Sequence, residues 1–303
     1  MRKTMVVTDS ACDLPLEMIK QDPALRVIPF PKDGSISPLN LLSAYEPLLA
    51  DASVTTIVSA HISGRISSLY ERVTLALSTF KTDREMIVLD SGSLSLGQGL
   101  MVFSLLRCTQ QKPMMRMCLD LWADSRIHTH VWIIQPADAN DRFAPIWRLS
   151  HKLKERLSAR AVQAVNEWGE LSRGQIIRGR QALETMLEKA MRERLHRYGP
   201  RAYRFGLSVF EPDPASEGSL TSGGASFLDG WIHPSNALKR RQLAHIPVET
   251  WQSWLIDRFQ PLEVIVGSMS PALATYLRLA AGTVAIAVSP AYDDPKAAQR
   301  LLS

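Results

Sequence analysis

Three cysteines in 303 residues exclude a disulfide scaffold. Cys12, Cys108 and Cys118 have neither CxxC spacing nor a histidine cluster beside them, so no zinc site is expected. They read as buried thiols. Long apolar runs are missing too, since no uninterrupted stretch approaches the roughly 20 residues of a membrane-spanning helix. The opening MRKTMVVTDSACD turns acidic and polar before a signal-peptide core could form, so a cytoplasmic location is the default expectation. The seven tryptophans are scattered between Trp122 and Trp254, which argues against a stacking platform for bases.

The common catalytic and phosphate signatures are also absent. There is no GxxxxGK loop, HExxH, GxSxG elbow or GxGxxG after a strand, and the glycines of GSLSLGQG have the wrong spacing for a dinucleotide. No cofactor or metal is expected. The net charge of +5 would suggest nucleic acid if the basic residues were clustered. They are interleaved instead with Glu155, Glu167, Glu184, Glu188 and Glu193, the pattern of a solvated helix face.

What is present is 46% hydrophobic residues, enough to bury a large core in two domains. Short β-branched runs (KTMVVTDS, LRVIPF, VTTIVSA, EMIVLDS) alternate with helical patterns such as SPLNLLSAYEPLLAD and ISSLYERVTLALSTF. Alternation of this kind predicts an α/β fold, with a mostly parallel sheet flanked by helices over residues 1–127. A second α/β domain is expected over 128–303, with strands in IHTHVWIIQ, YRFGLSVF, LEVIVGSMS and TVAIAVSP. Helices are expected at roughly 142–166 and 179–198, joined by a hairpin-like WGELSRGQIIRG, and the Gly, Ser and Pro of 212–236 read as an exposed loop.

Three of these strands end in VTDS, VSAHISG and VLDS, and ligands of open α/β sheets bind beyond the carboxyl ends of strands. Asp9, Ser10, Asp90 and Ser91 either converge there or cap local turns. The turn SAHISGR offers Ser59, Ser63 and the backbone of Gly64, groups that suit an anion at a helix N-terminus. Read as part of the first helical turn, Arg65 opposes the macrodipole. It pairs with Asp9 or Asp90, meets an anionic ligand, or extends into solvent. His61 could serve a serine nucleophile, but no acid partner or oxyanion motif is identifiable, and it reads as a solvent-facing turn histidine.

The order VVTDSACDLP, IVSAHISGRISS, IVLDSGSLSLGQGLMV resembles the DegV family of bacterial fatty-acid-binding proteins, whose motifs are TDSTxDLP, SSxLSGTYxSA and DSxxxSxGxG. The resemblance spans roughly the first 105 residues. It implies an apolar tunnel between two domains, a long-chain fatty acid as ligand, a head group held by hydroxyls, and delivery to a separate fatty-acid kinase by a carrier that is not itself an enzyme. Carried over by motif, Ser59 and Ser63 take hydroxyl positions beside Gly64, Ala60 replaces a serine and Arg65 a threonine. Ser35, then Ser37, match the head-group loop, Ser10 belongs to the first motif, and Tyr276 stands where the family has its carboxylate-binding histidine. Ser35, Ser59 and Ser63 are expected to converge, with Tyr276 and Arg65 together replacing the histidine. Two alternatives stay open: a serine hydrolase of acyl esters using Ser59 or Ser63, and a degenerate relative with a regulatory role.

Overall fold

A computed structural model of the chain describes residues 3–31, 37–111, 114–137, 159–197, 202–211 and 246–292. Its first sheet holds β1 (Lys3–Asp9), β2 (Leu25–Ile28), β3 (Val54–His61) and β4 (Glu85–Asp90), all parallel, in the order β2-β1-β3-β4. Helices α1 (Leu16–Gln21), α2 (Pro38–Ala50) and α3 (Leu69–Ser78) make the crossovers. Both faces of β1 and β3 are covered, which is why MVV and IVSA run apolar without alternating. Ser37 caps α2 and Pro38 opens it, a pairing that suits a helix start.

The second sheet is mixed. It contains β5 (His130–Pro136), β6 (Ala159–Ala164), β7 (Gln175–Arg178), β8 (Tyr203–Val209), β9 (Glu263–Ser268) and β10 (Val284–Pro290), ordered β7-β6-β5-β10-β8-β9. Only β8 and β9 pair in parallel. Its outer face packs Phe205 and Leu207 against Leu187 and Met191 of α6 (Arg180–Arg197) and Trp251 and Leu255 of α7 (Val248–Phe259). Arg180 with Glu184 and Arg192 with Glu188 form pairs one turn apart along α6, so these charges belong to a solvated face.

Between the sheets lies α4 (Ser95–Gln110), followed by α5 (Met115–His128). Helix α4 packs on β1 of one sheet and on β8 and β10 of the other, and is buried on nearly every side. Small residues permit this approach. A Cβ on Gly97 would collide with Val131 and Ser93, and one on Gly99 with the Cys12 carbonyl.

Two expectations are corrected. Residues 159–164 form a strand, not the end of a helix, because β5 on one side and β7 on the other satisfy its backbone; 138–158 and 212–236 lie outside the described residues. The expected hairpin joins β6 to β7 and not two helices, with QIIR of that stretch forming β7 itself. Helix α3 starts at Leu69, later than ISSLYER suggests, since Ser63–Ile66 close a turn through Ile66 N–H to the Ser63 carbonyl (2.9 Å).

Candidate functional site

Strand order reverses between β1 and β3, so their carboxyl ends border the crevice where open α/β sheets hold ligands. Thr8 pairs with Ala60, which sets Asp9 beside His61, and the two-residue pleat puts Ser59 on the same face as His61. The consequence is a connected row of polar groups. His61 Nδ1 lies 3.0 Å from Asp9 Oδ2, and His61 Nε2 lies 2.7 Å from Ser59 Oγ. Tyr45 of α2 closes the row, with its hydroxyl 2.5 Å from Ser59 Oγ and 3.3 Å from His61 Nε2. All four side chains are fully buried.

The proton order in this row follows from Asp9. Its Oδ1 accepts from the Ala11 amide, and its Oδ2 accepts from the Ile62 amide and from Gln98 Nε2 (3.0, 3.0 and 3.1 Å). With both oxygens accepting, Asp9 takes the proton of His61 Nδ1–H. With the ring proton on Nδ1, Nε2 accepts from Ser59, and Ser59 accepts from Tyr45. Burial raises the Tyr45 phenol well above its ordinary range, which keeps it a donor.

His61 is thus a buried, paired residue, not a solvent-facing one. The acid partner that sequence reasoning could not identify is Asp9, 52 positions away and visible only once β1 and β3 pair. Asp9 also caps the short 3-10 turn Ser10–Cys12, so the capping reading and the converging one are both true of it.

The remaining expected residues spread along the seam between the sheets. Ser63 donates its hydroxyl to the Gly169 carbonyl (2.6 Å) in the β6–β7 turn, where Gly169 has a φ of +81° and a Cβ would strike Ser63 Oγ and Gly92. Gly64 donates its amide to Asp90 Oδ1 (3.1 Å). Tyr276, on α8 (Pro271–Leu277), donates its hydroxyl to the Ile66 carbonyl (2.8 Å) and sets its ring edge-on to Phe30, 5.4 Å away. Ser10 Oγ accepts from the Phe30 amide (2.9 Å). Ser37 is engaged as the α2 cap, and Ser35 lies outside the described residues. Ser59 and Ser63 bond to different groups, the first within its own domain and the second across the seam.

Arg65 is exposed and, among the described residues, makes no ion pair. Asp9 is taken by His61, and Asp90 by Arg126 (3.5 Å) and the amides of Gly64 and Gly92. Neither expected internal salt bridge forms. Because Arg65 precedes α3 by four residues, it does not oppose that helix's dipole either.

Sequence reasoning missed a second polar cluster. Asp13, at a φ of +52°, accepts from Ser95 Oγ (2.6 Å) at the start of α4 and from the Ser270 amide (2.7 Å) at the start of α8. Ser95 also meets Ser208 of β8 at 2.6 Å. Burial raises the Asp13 carboxyl to about 7 against the opposing pull of these bonds. Four distant segments supply the cluster, so no local spacing announces it. Beside it opens a cleft of about 550 Å³ between the domains, lined by Leu14, Pro15, Leu16, Val209, Val248 and Val266 among others. No group of three or more metal-ligating side chains occurs among the described residues.

Two α/β layers sharing one buried helix, with a cleft along the seam, define a two-domain α/β fold. Residues 26–138 match the model of the DegV family, described as uncharacterised, and the chain has the fold of DegV family proteins. A DegV family protein of Corynebacterium glutamicum superposes with a TM-score of 0.67 at 17% identity, covering 96% of this chain and 98% of that one. A DegV family protein of Thermus thermophilus gives 0.65 at 19%, over 96% and 100%. A Thermotoga maritima protein gives 0.64 at 14%, over 96% and 100%. The last two are described as fatty-acid-binding. No curated protein matches the sequence.

Proposed function

We propose that this chain binds a long-chain fatty acid between its two domains and acts as a carrier. The observation that carries the proposal is the interdomain cleft of about 550 Å³, where Leu14, Leu16, Val209, Val248 and Val266 line the walls together with the polar Glu17, Glu211 and Ser268, on a scaffold shared end to end with fatty-acid-binding proteins. Its volume falls in the range of small-molecule sites. The acyl chain lies in this cleft. The head group sits at the turn Ser63–Ile66, where Arg65 supplies charge, Tyr276 and Gly64 fix the backbone, and Ser59, Ser63, Ser10 and Ser37 belong to the segments around it; Ser35, outside the described residues, is proposed as a further head-group hydroxyl. Helix α8 runs from beside the cleft to that turn, and its seven residues span about 10 Å at 1.5 Å each, a distance a long acyl chain bridges.

No helix among the described residues is long and apolar enough to cross a membrane, which fits a cytoplasmic carrier. Hand-over to an ATP-dependent fatty-acid kinase is part of the same proposal. The test is native mass spectrometry of the chain purified from a bacterial host, followed by titration with a fluorescent fatty acid. A co-purifying long-chain acid at one per chain is expected. Neither a bound acid nor any binding of an added one would remove the reading.

A further inference from the structure

We propose that Ser59, His61 and Asp9 form a nucleophile, base and orienting group that hydrolyse a long-chain acyl ester; the choice of acyl chain rests on the fatty-acid reading above. The trio follows from geometry alone. Ser59 Oγ, His61 Nε2, His61 Nδ1 and Asp9 Oδ2 are joined by contacts of 2.7 and 3.0 Å, with every proton assigned in one direction, as a serine nucleophile requires. The place is also suitable, since the trio stands at the reversal of strand order where open sheets put their ligands.

A purely architectural role accounts less well for these residue types. Ile57, two residues before Ser59 on the same strand face, shows what an aliphatic side chain does there, fully buried and without a partner to find. A serine, a histidine and a carboxylate in the same layer lose their water and must be satisfied one by one. Gln98 and the Ile62 amide hold Asp9 in place, so the orienting group is itself oriented.

The reaction balances with water as the only co-reactant. Ser59 Oγ attacks the ester carbonyl carbon, forming a C–O bond while its proton passes to His61 Nε2. The alcohol leaves with that proton as the second C–O bond breaks. Water, deprotonated by the same nitrogen, then cleaves the acyl-serine and releases the fatty acid. Tyr45 meets Ser59 Oγ in the resting arrangement and must leave it for the carbonyl to approach, which frees its hydroxyl as a donor for the developing oxyanion. Asp9 is a positioning residue, acting through His61.

The experiment uses the full chain and a long-alkyl fluorophosphonate, with peptide mass mapping of the adduct and release of p-nitrophenol from a p-nitrophenyl palmitate as second readout. One adduct on Ser59 is expected. Labelling should depend on pH in the wild type, and fall about 100-fold in H61Q with loss of that pH dependence. Ser59→Ala should lose both signals. Mapping in the wild type decides the question even if a variant fails to fold. A chain that binds fatty acid yet forms no adduct on Ser59 overturns the trio and leaves the carrier intact. Ester hydrolysis through Ser59 without retention of free fatty acid supports the trio and removes the carrier reading.

Discussion

Tyr276 of the second domain donates its hydroxyl to the carbonyl of Ile66 in the first, 2.8 Å away, and so pins the turn that follows β3. Its ring stays against Phe30 whether or not the hydroxyl is present. Tyr276→Phe should therefore cost only one part-buried hydrogen bond, about 0.5–1.5 kcal/mol. Urea unfolding monitored by circular dichroism measures this, and a loss above about 3 kcal/mol would mean that the hydroxyl does more than brace one turn.

Arg65 presents the opposite case, exposed and without an ion pair among the described residues. Arg65→Ala should leave stability unchanged to within about 0.5 kcal/mol. If it supplies the head-group charge, fatty-acid affinity should drop roughly 10- to 100-fold, the worth of a charge-assisted hydrogen bond. Equal affinity in the mutant and the parent by fluorescence titration would take Arg65 out of the site.

Asp13 links stability to pH with a definite sign. Its folded carboxyl is raised to about 7 by burial, while an unfolded aspartate titrates near 3.9. Below about pH 4 both states are protonated and the group has no effect. Between about 4 and 7 the folded state holds the extra proton, so stability falls as pH rises, by at most about 1.4 kcal/mol per unit. Above 7 the loss is complete and flat. Denaturation midpoints at pH 5 and 7.5 should differ in this direction, and the difference should shrink in Asp13→Asn.

The first sheet is legible in sequence because three of its strands are short apolar runs closed by Asp or Ser, and parallel strands buried on both faces need no alternation to show themselves. The β6–β7 hairpin shows the limit. ARAVQA carries few β-branched residues and lies beside charge-rich helical sequence, so its strand depends on partners supplied by β5 and β7. Within the site, Ser59 and Ser63 are visible as strand-end hydroxyls. The roles of Asp9, Tyr45 and Gln98 are not, because each reaches His61 or Asp9 from another segment, and only strand register and helix packing bring them there.

Gly99 tests the packing of the shared helix. A Cβ there meets the Cys12 carbonyl, a backbone atom that cannot turn aside, with Leu14 close behind at 3.2 Å. Gly99→Ala should cost about 1–3 kcal/mol despite alanine's better helix propensity. An unchanged or higher urea midpoint would show that α4 can shift away from the first sheet.

The row ending at Asp9 predicts an order of mutational costs. In Ser59→Ala, Tyr45 and His61 Nε2 remain 3.3 Å apart and can bond directly, so no donor or acceptor is stranded and the loss should stay near 1 kcal/mol. Asp9→Asn has no such escape. Oδ1 faces the Ala11 amide, and Oδ2 faces the Ile62 amide, His61 Nδ1 and Gln98 Nε2, so an amide NH2 in either orientation points at a backbone N–H. A buried charge-assisted network is lost and one donor is left against another, which should cost about 3–5 kcal/mol. Chemical denaturation of the two variants side by side checks the ranking. Comparable losses would mean that Asp9 does not anchor the row and that the hydroxyl of Ser59 is as central to the fold as the carboxylate.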